Sequence, residues 1–502
     1  MTRENFCFNV SIWRDKLYAD MKAPLTVRFL LFLAGLAMLL AACDLTPPVA
    51  PPTPEETGAP AATRLSQQTP TAQPQPSATP AATPTSQIRV RPENLRSVSL
   101  QLWSPWSLET GDALQSLVQT FNQENEWGVQ VQAVFLGSYD ELNTQMEQAL
   151  QTQSLPDLVI AYPYQALSWD KTQPLVNLEP YVKDPIWGYS SQEQKDFYPI
   201  FWQQGVFEGK RWGLPAPASG QFLYYNLSWA RELGFEQAPQ TPDQFQQQAC
   251  AASRANRQDN SPDNDGTGGW IVSTQYAGMG GWLSAFGARV SEPGSSQYHF
   301  DTQPVQKAFT FLRGLYDQGC AWLAEGEPPE GEFASRLGLF STGSMLGIPY
   351  QKQAFQQANN PDQWTVIPFP SPSGKAAIEV YGSYYVALPS TPEKQLAAWL
   401  LLKWLEAPEN QAALIQAGGG FPASASAAQA LKSYGTAHPQ WAAALDLLPQ
   451  ANPEPARPSW ATVRWALSDA STQLFRSYFT VQQVPDLTKL LDKTAADLES
   501  EK

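Results

Sequence analysis

The sequence predicts an α/β protein with two lobes. Apolar and polar residues alternate over residues 97–103 and 129–135, as is typical of strands, and residues 158–161 form a short apolar run. Residues 113–125 and 139–151, which separate these strands, carry apolar side chains at helical spacing. The order strand, helix, strand, helix, strand predicts a parallel sheet covered by helices. The roughly 410 residues that begin at Arg89 exceed one ordinary core, which favours two lobes.

Two later helices are predicted from their start signals. Thr241 can cap a helix whose first residue is Pro242, and Gln244 can complete a capping box with Thr241. Thr391-Pro392-Glu393 repeats this signal before an amphipathic segment over residues 397–405. Both signals predict helices that begin at a proline.

A membrane-targeting signal is predicted near the beginning of the chain. Residues 29–42 are an unbroken apolar run of 14 residues, preceded by Lys22 and Arg28, which is the arrangement of a secretory signal peptide. Leu40-Ala41-Ala42-Cys43 resembles a bacterial lipobox, in which the cysteine is acylated and becomes the new N-terminus. We therefore expect a lipid-anchored protein on the extracytoplasmic face of a bacterial membrane.

Two other interpretations of this leader stay open. The run is compatible with an ordinary cleaved signal peptide in which Cys43 is a coincidence, and with a retained membrane anchor, although a span needs roughly 20 apolar residues. Residues before Met21 mix acidic and aromatic side chains, which suits no signal peptide, so Met21 is a more natural start than Met1. We predict that residues 1–42 are the signal peptide.

A tether is predicted to follow the anchor. Residues 44–88 consist almost entirely of Pro, Thr, Ala, Ser and Gln and contain no aromatic residue. Such a segment has too little apolar surface to offset the entropy lost on ordering, and Pro-rich chains act as semi-rigid spacers. We predict that residues 43–95 are a lipidated cysteine and a disordered tether.

The charge of the chain excludes two classes of partner. The net charge is −15, and residues 1–42 carry five basic and three acidic residues, so the remainder has a net charge of about −17. Nucleic acids and anionic lipid surfaces attract basic proteins. We therefore expect no nucleic acid partner, and membrane contact through the lipid anchor only.

The cysteines and histidines limit the expected redox and metal chemistry. Cys250 and Cys320 remain once the leader and Cys43 are set aside, and in an extracytoplasmic compartment we expect them to form a disulfide between two helical segments. Two separate buried thiols are the alternative. With no CxxC motif and only His299 and His438, we predict no zinc site and no cofactor.

An acidic loop at Asp263 and Asp265 suggests calcium. With Gly266 at the fixed glycine of an EF-hand, Ser261 and Val272 occupy the positions that require Asp and Glu. A solvated acidic loop is the interpretation that we favour, and we predict no metal site.

Several short segments, taken in order, resemble one protein family. They are Pro156-Asp157-Leu158-Val159, Gly213-Leu214-Pro215, Leu223-Tyr224-Tyr225-Asn226, Leu233-Gly234, Pro239-Gln240-Thr241, Phe340-Ser341-Thr342-Gly343-Ser344-Met345, Ala397-Ala398-Trp399, Pro408-Glu409-Asn410-Gln411 and Gly419-Gly420-Phe421-Pro422. In this order and spacing, residues 97–491 resemble a family 1 extracellular solute-binding protein, the substrate receptor of an ABC importer, related to maltose-binding protein.

The resemblance implies a two-lobed fold of the type II periplasmic-binding-protein kind, with a hinge and a ligand cleft between the lobes. Lobe one would comprise residues 97–220 plus 382–432, and lobe two residues 221–381 plus 433–502. It also implies a monomer that captures a small solute, most simply a mono- or oligosaccharide, and delivers it to the transmembrane subunits of an ABC permease.

Aromatic residues around the implied cleft are candidates for sugar binding, because a sugar presents apolar C–H faces and a rim of hydroxyl groups. The first and third strands end near several of them, and a cleft lies beyond the carboxyl ends of parallel strands. Residues 458–464 resemble the segment that carries a sugar-stacking tryptophan, so Trp460 leads the set. We expect Trp460→Ala to weaken binding more than tenfold with little change in melting temperature. The predicted ligand-binding residues are Trp103, Trp106, Tyr162, Tyr164, Gln165, Gln221, Trp282, Tyr350, Ser383 and Trp460.

Core packing is the alternative for each aromatic residue in this set. At the level of function, the alternatives are an extracytoplasmic carbohydrate-active enzyme and a sensory or adhesion module on the same fold. No carboxylate pair is evident in the sequence, and no GxSxG, P-loop or HExxH motif occurs. We therefore favour a receptor without catalytic residues.

Overall fold

The computed structural model describes residues 85–292, 297–326 and 328–501. The predictions for the signal peptide, Met21, Cys43 and the tether as far as residue 84 lie outside these residues. No helix in the described part of the chain is long and apolar enough to cross a membrane.

The described residues form twelve strands. They are β1 (Ser99–Ser104), β2 (Gln130–Phe135), β3 (Leu158–Ala161), β4 (Val206–Phe207), β5 (Lys210–Arg211), β6 (Gly213–Asn226), β7 (Gly268–Ile271), β8 (Ala321–Trp322), β9 (Gly338–Ser344), β10 (Trp364–Ile367), β11 (Ile378–Ala387) and β12 (Ala451–Pro453).

Helices connect these strands and cover the sheet. The α-helices are α1 (Leu108–Glu124), α2 (Tyr139–Thr152), α3 (Pro163–Asp170), α4 (Glu179–Val182), α5 (Ser191–Asp196), α6 (Pro199–Gln204), α7 (Leu227–Glu232), α8 (Pro242–Gln258), α9 (Tyr276–Ala285), α10 (Gln303–Asp317), α11 (Glu330–Ala334), α12 (Ile348–Gln357), α13 (Pro392–Leu405), α14 (Pro408–Gly418), α15 (Ala425–Ala430), α16 (Lys432–Ala437), α17 (Pro439–Leu445), α18 (Trp460–Leu474) and α19 (Val484–Ser500). Short 3₁₀ helices span Pro92–Leu95, Pro262–Asn264, Met345–Gly347, Leu448–Gln450 and Val481–Gln483.

One sheet of ten strands runs through the molecule in the order β2-β1-β3-β11-β6-β9-β7-β8, with β10 paired to β6 and β12 to β11. β1 is parallel to β2 and β3, which confirms the predicted parallel sheet, and β7 is parallel to β8 and β9. We call β1–β3 with their helices the first half, and β7–β9 with theirs the second half.

Two long antiparallel strands, β6 and β11, join the halves. Their register runs from Glu379 opposite Gln221 to Val386 opposite Gly213, with an irregularity between Gly382 and Tyr384. β11 pairs with β3 near its end, whereas the second part of β6 pairs with β9. The chain therefore crosses between the halves in β6 and β11.

The predicted helix starts are present. Thr241 Oγ1 accepts a hydrogen bond from the Gln244 amide at the start of α8, and Gln244 Oε1 accepts one from the Thr241 amide. Thr391 Oγ1 caps α13 by accepting from the Lys394 amide. These side chains satisfy amide groups that have no partner within the helix, which fixes where each helix begins.

The halves have separate apolar cores. In the first half, Leu100, Leu102 and Leu158 lie under α13, whose Trp399 is buried. The second core is aromatic, with Trp270, Phe245 and Phe340 among its buried residues. Burying a large apolar side chain stabilises a fold by about 1.5–3 kcal/mol, so each half has a substantial core of its own.

Cys250 and Cys320 form the predicted disulfide. Cys250 lies in α8, as expected, but Cys320 follows the end of α10 and directly precedes β8. The bridge therefore joins a helix to a turn, and the expectation of two bridged helices is wrong for Cys320. The helical spacing of residues 303–317 ends before this cysteine.

The folded body begins before residue 95. The Asp184 carboxylate accepts hydrogen bonds from the Ser86 hydroxyl and the Gln87 amide, at 2.7 and 3.0 Å. Val90 and Leu95 are buried in the core of the first half. These contacts attach residues 86–95 to the first half, so we place the end of the proposed tether ahead of Ser86.

Candidate ligand-binding cleft

Aromatic residues meet where the parallel strands of the first half end. Trp106 follows β1, Tyr139 begins α2 after β2, and Tyr162 follows β3. Trp106 Nε1 donates a hydrogen bond to the Tyr139 hydroxyl at 3.0 Å, and the rings of Tyr139 and Tyr162 lie 4.2 Å apart. The strand ends thus build one wall of a cleft, as expected for parallel strands.

Gln165 holds this wall in place. Its Oε1 accepts a hydrogen bond from the Tyr162 amide at 3.0 Å, and its Nε2 donates to the Tyr139 carbonyl at 2.9 Å. Gln165 is buried, and both ends of its amide are occupied by backbone groups. It therefore positions the two tyrosines. Tyr164, two residues after Tyr162, stacks on the Tyr162 ring with ring centres 5.5 Å apart.

Arg464 of α18 connects this wall to the second half. Its Nη1 donates a hydrogen bond to the Tyr164 hydroxyl at 2.5 Å, and its guanidinium lies 4.3 Å from the centre of the Tyr164 ring. The same guanidinium is 5.2 Å from the ring of Tyr276, the first residue of α9, which follows β7. Tyr164 of the first half and Tyr276 of the second half thus contact the same buried cation, the Arg464 guanidinium.

Glu454 faces this group from the loop between β12 and α18. Its side chain is buried, and Oε1 accepts no hydrogen bond from any described residue. Burial raises the pKa of Glu454 to about 7, although the nearby Trp460 indole and Arg464 guanidinium oppose the shift. Trp460 Nε1 itself meets no acceptor at hydrogen-bonding geometry in the described structure. The carboxyl group therefore has unused capacity to accept a hydrogen bond.

A second buried carboxyl group, that of Glu379, lies on β11. It packs against α9 so closely that a Cβ added at Gly280 would stand 2.7 Å from Glu379 Oε1. The Ser284 hydroxyl donates to it at 3.5 Å. Burial, reinforced by the charge of Glu454, raises the pKa of Glu379 well above its ordinary value, which favours its protonated form.

Polar groups of the crossing strands complete the site. Gln221 Nε2 donates a hydrogen bond to the Tyr381 hydroxyl at 3.3 Å. Burial raises the pKa of Tyr381, and the hydroxyl groups of Ser219 and Ser344 act in the opposite direction. Burial likewise raises the pKa of Tyr139, and Ser383 lowers it. Two more of the predicted polar residues, Gln221 and Ser383, therefore lie beside cleft tyrosines.

Three predicted residues lie elsewhere. Trp282 is fully buried, with its ring 5.1 Å from Phe245, so it belongs to the second core. Trp103 is half-buried and packs in a cluster of the first half. Tyr350 lies on α12 and is 61% exposed. Core packing explains Trp282, because the side chains of α9 that face the sheet are enclosed on every side.

The leading candidate, Trp460, lies between the core of the second half and the cleft residues. It is 2% exposed, and its ring stacks 6.1 Å from Tyr298, in the core of the second half. Its other neighbour, Tyr276, approaches edge-on at 6.4 Å and belongs to the cleft group. Trp460 thus packs between Tyr298 of the core and Tyr276 of the cleft, and its indole faces Glu454.

Six residues of this site were absent from the predicted set: Tyr139, Tyr276, Glu379, Tyr381, Glu454 and Arg464. The strand-end rule that selected Trp106 and Tyr162 also applies to Tyr139 and Tyr276. The two carboxyl groups and the guanidinium carry no local signal of burial, since charged residues in strands, loops and helices alike are ordinarily solvated. Among the described residues, no group of three or more His, Cys, Asp or Glu side chains could hold a metal ion.

Residues 116–448 match the protein family described as bacterial extracellular solute-binding protein. This match covers more than half of the chain. The chain belongs to the bacterial extracellular solute-binding proteins. Among curated relatives, a protein from Brucella abortus (strain 2308) that is named as a binding protein is 22% identical over 300 residues, which is 59% of this chain and 70% of the relative.

Solved structures share the fold of this solute-binding protein. The sugar-binding protein MalE from Xanthomonas citri superposes with a TM-score of 0.69 and 19% identity, over 80% of this chain and 98% of that one. The cyclic alpha-maltosyl-1,6-maltose binding protein from Arthrobacter globiformis gives 0.67 and 18%, over 80% and 99%. UgpB from Mycobacterium tuberculosis, in complex with glycerophosphocholine, gives 0.62 and 17%, over 80% and 99%. The solute-binding protein therefore has the two-lobed α/β fold of these three proteins.

Proposed function

We propose that this protein is a lipid-anchored extracytoplasmic receptor that captures a saccharide in its cleft and delivers it unaltered to an ABC permease. One observation carries the proposal: Arg464 brings together aromatic residues that follow strands of both halves. Its guanidinium contacts Tyr164 of the first half and Tyr276 of the second. Tyr162 and Tyr139 pack next to Tyr164 in the first half. Structural relatives that bind cyclic alpha-maltosyl-1,6-maltose or maltotriose support the ligand class.

The chemistry of the cleft suits a neutral polyhydroxylated ligand. Tyrosine rings offer flat faces to the C–H groups of a sugar, and their hydroxyl groups reach its rim. Glu379 in its protonated form donates a hydrogen bond, whereas the free oxygen of Glu454 accepts one. Arg464 offsets the charge of Glu454 whenever that carboxyl group is ionised, and the tyrosines around it are neutral, so the group suits an uncharged solute.

The crossing strands provide a means of closure. We propose lobes with the bounds predicted from the sequence, 97–220 plus 382–432 and 221–381 plus 433–502, joined where Gly220-Gln221 and Tyr381-Gly382 meet in the sheet. Rotation at these positions would separate Tyr164 from Arg464 and open the cleft. A ligand that contacts both lobes favours the closed form, and a permease can recognise that form.

Calorimetry of the purified protein against neutral mono- and oligosaccharides, glycerophosphodiesters and polyamines tests the ligand class. We expect binding of a saccharide, and mass spectrometry after incubation should return that saccharide unchanged. Chemical change would instead favour a carbohydrate-active enzyme, the second candidate, since Glu379 and Glu454 are two buried carboxyl groups near each other. Binding of only the other classes would refute the carbohydrate assignment.

The anchor is tested separately. We expect the protein made in its bacterial host to fractionate with the membrane as a diacylated form that begins at Cys43, and Cys43→Ser to release it. A mature N-terminus located before Cys43 would refute the lipid anchor and leave the cleft assignment intact.

A further inference from the structure

One tryptophan of the described residues, Trp465, stands out by its exposure. Its side chain is 49% exposed, whereas every other tryptophan in the described part of the chain is buried or half-buried. When half of a tryptophan side chain is exposed to solvent, part of its large flat apolar ring has no protein partner. Scattered exposed apolar residues are common, so exposure alone assigns no role.

The position of Trp465 is what gives its exposure a meaning. It follows Arg464 in α18, and its ring lies 5.1 Å from the Arg464 guanidinium. Tyr276 meets the Trp465 ring edge-on, with ring centres 5.4 Å apart and an angle of 82° between the planes. Both of these ring contacts are with residues of the cleft.

Trp465 also ends a continuous series of rings. Tyr139 and Tyr162 are 4.2 Å apart, Tyr162 and Tyr164 are 5.5 Å apart, and the Arg464 guanidinium bridges Tyr164 to Tyr276. Trp465 continues the series from Tyr276 into solvent. The inner members are buried or half-buried and Trp465 is exposed, so the series of rings runs from the interior of the protein to its surface.

We propose that Trp465 is an outer stacking platform and that the ligand is an oligosaccharide rather than a monosaccharide. One sugar unit would lie against the inner tyrosines, and a following unit would stack on the indole. This inference rests on the proposed function, since it extends the same cleft. Each ring of an oligosaccharide offers a C–H face, so a row of aromatic faces that leaves the cleft matches a chain of linked rings.

Length series of saccharides test the proposal. Calorimetry would compare glucose, maltose and maltotriose, and in parallel glucose, cellobiose and cellotriose, with the wild-type protein and Trp465→Ala. We expect the wild type to bind the trisaccharide of one series at least tenfold more tightly than glucose. Trp465→Ala should remove most of that gain and change glucose affinity less than twofold, and Trp465→Tyr should restore part of it.

A matched control lies beyond the other end of the same helix. Tyr478 is 68% exposed and follows α18 at its far end, so Tyr478→Ala should leave every affinity unchanged. Equal affinity for all lengths, or an equal loss for all lengths in Trp465→Ala, would overturn the outer platform while leaving saccharide capture intact. Wild-type affinity of Trp465→Ala for every length would likewise overturn it. If neither series binds to the wild type, the outer platform is refuted, and calorimetry against the other ligand classes decides whether saccharide capture fails with it.

Discussion

Arg464 Nη1 lies 2.5 Å from the hydroxyl oxygen of Tyr164, and this hydrogen bond joins the two halves of the molecule. Tyr164 follows β3 of the first half, whereas Arg464 belongs to α18, which packs in the core of the second half. Both side chains are buried. The closed cleft is therefore stabilised by a hydrogen bond from the Arg464 guanidinium of one half to the Tyr164 hydroxyl of the other.

Tyr164→Phe should weaken this connection and little else. The phenyl ring keeps its packing against Tyr162 and Arg464, but a hydrogen bond from a charged donor is lost, at a cost of about 1.5–3 kcal/mol. We expect a matching decrease in the free energy of unfolding measured with urea. The control is Tyr478→Phe, whose exposed hydroxyl makes only a 3.4 Å contact with Gln473. Equal stability of the two variants would contradict the role of this bond.

Trp460→Ala should destabilise the fold as well as the cleft. The sequence predicted little change in melting temperature, but the side chain is 2% exposed and stacks on Tyr298. Its removal leaves a large cavity, and substitutions of this kind cost about 3–5 kcal/mol. Chemical denaturation would measure the loss. Trp460→Phe keeps most of the volume and is the better variant for binding, and wild-type stability of Trp460→Ala would show that the indole is not packed as described.

Stability should decrease as the pH rises from about 5 to 8. The pKa of Glu454 is raised from 4.5 to about 7 by burial, so the folded state holds a proton that the unfolded state has released. The preference for the folded state is complete below pH 4.5 and is lost as the pH rises through about 7, by up to about 3 kcal/mol. The raised pKa values of Glu379 and Glu406 act in the same direction.

Glu454→Gln separates the contribution of this residue from the other two. Because glutamine does not titrate, the variant should lose less unfolding free energy than the wild type between pH 5 and 8. Melting curves across that interval give the comparison. Parallel pH profiles of the two proteins would mean that Glu454 is not a protonated buried group in the folded state.

Reduction of the Cys250–Cys320 disulfide should lower stability without unfolding the protein in native buffer. The bridge closes a loop between residues 70 positions apart, and a loop of this length contributes about 2–5 kcal/mol through the unfolded state. Urea denaturation with and without dithiothreitol measures the difference. Dithiothreitol should not change the stability of the Cys250→Ser, Cys320→Ser double variant, which is the control. If dithiothreitol also leaves the stability of the wild type unchanged, the bridge does not form.

Local patterns in the sequence predicted much of the fold. Alternation over residues 97–103 and 129–135 became the parallel strands β1 and β2, and Thr241 and Thr391 start the helices that they were expected to cap. Trp106 and Tyr162, which were selected because they follow parallel strands, lie in one wall of the cleft. These features depend on residues within a few positions of one another, which is why a sequence can reveal them.

The sequence by itself determined the α/β class, the family resemblance and the aromatic candidates after the strands. Only the tertiary structure decided that Trp282 belongs to the core, that Glu454 and Arg464 face the tyrosines, and that Glu379 lies near Glu454. Arg464 and Tyr164 are 300 positions apart, and their contact exists because β6 and β11 carry the chain from one half to the other. Propensity and periodicity act over a few residues, whereas burial of a charged group depends on which distant surfaces the chain brings together.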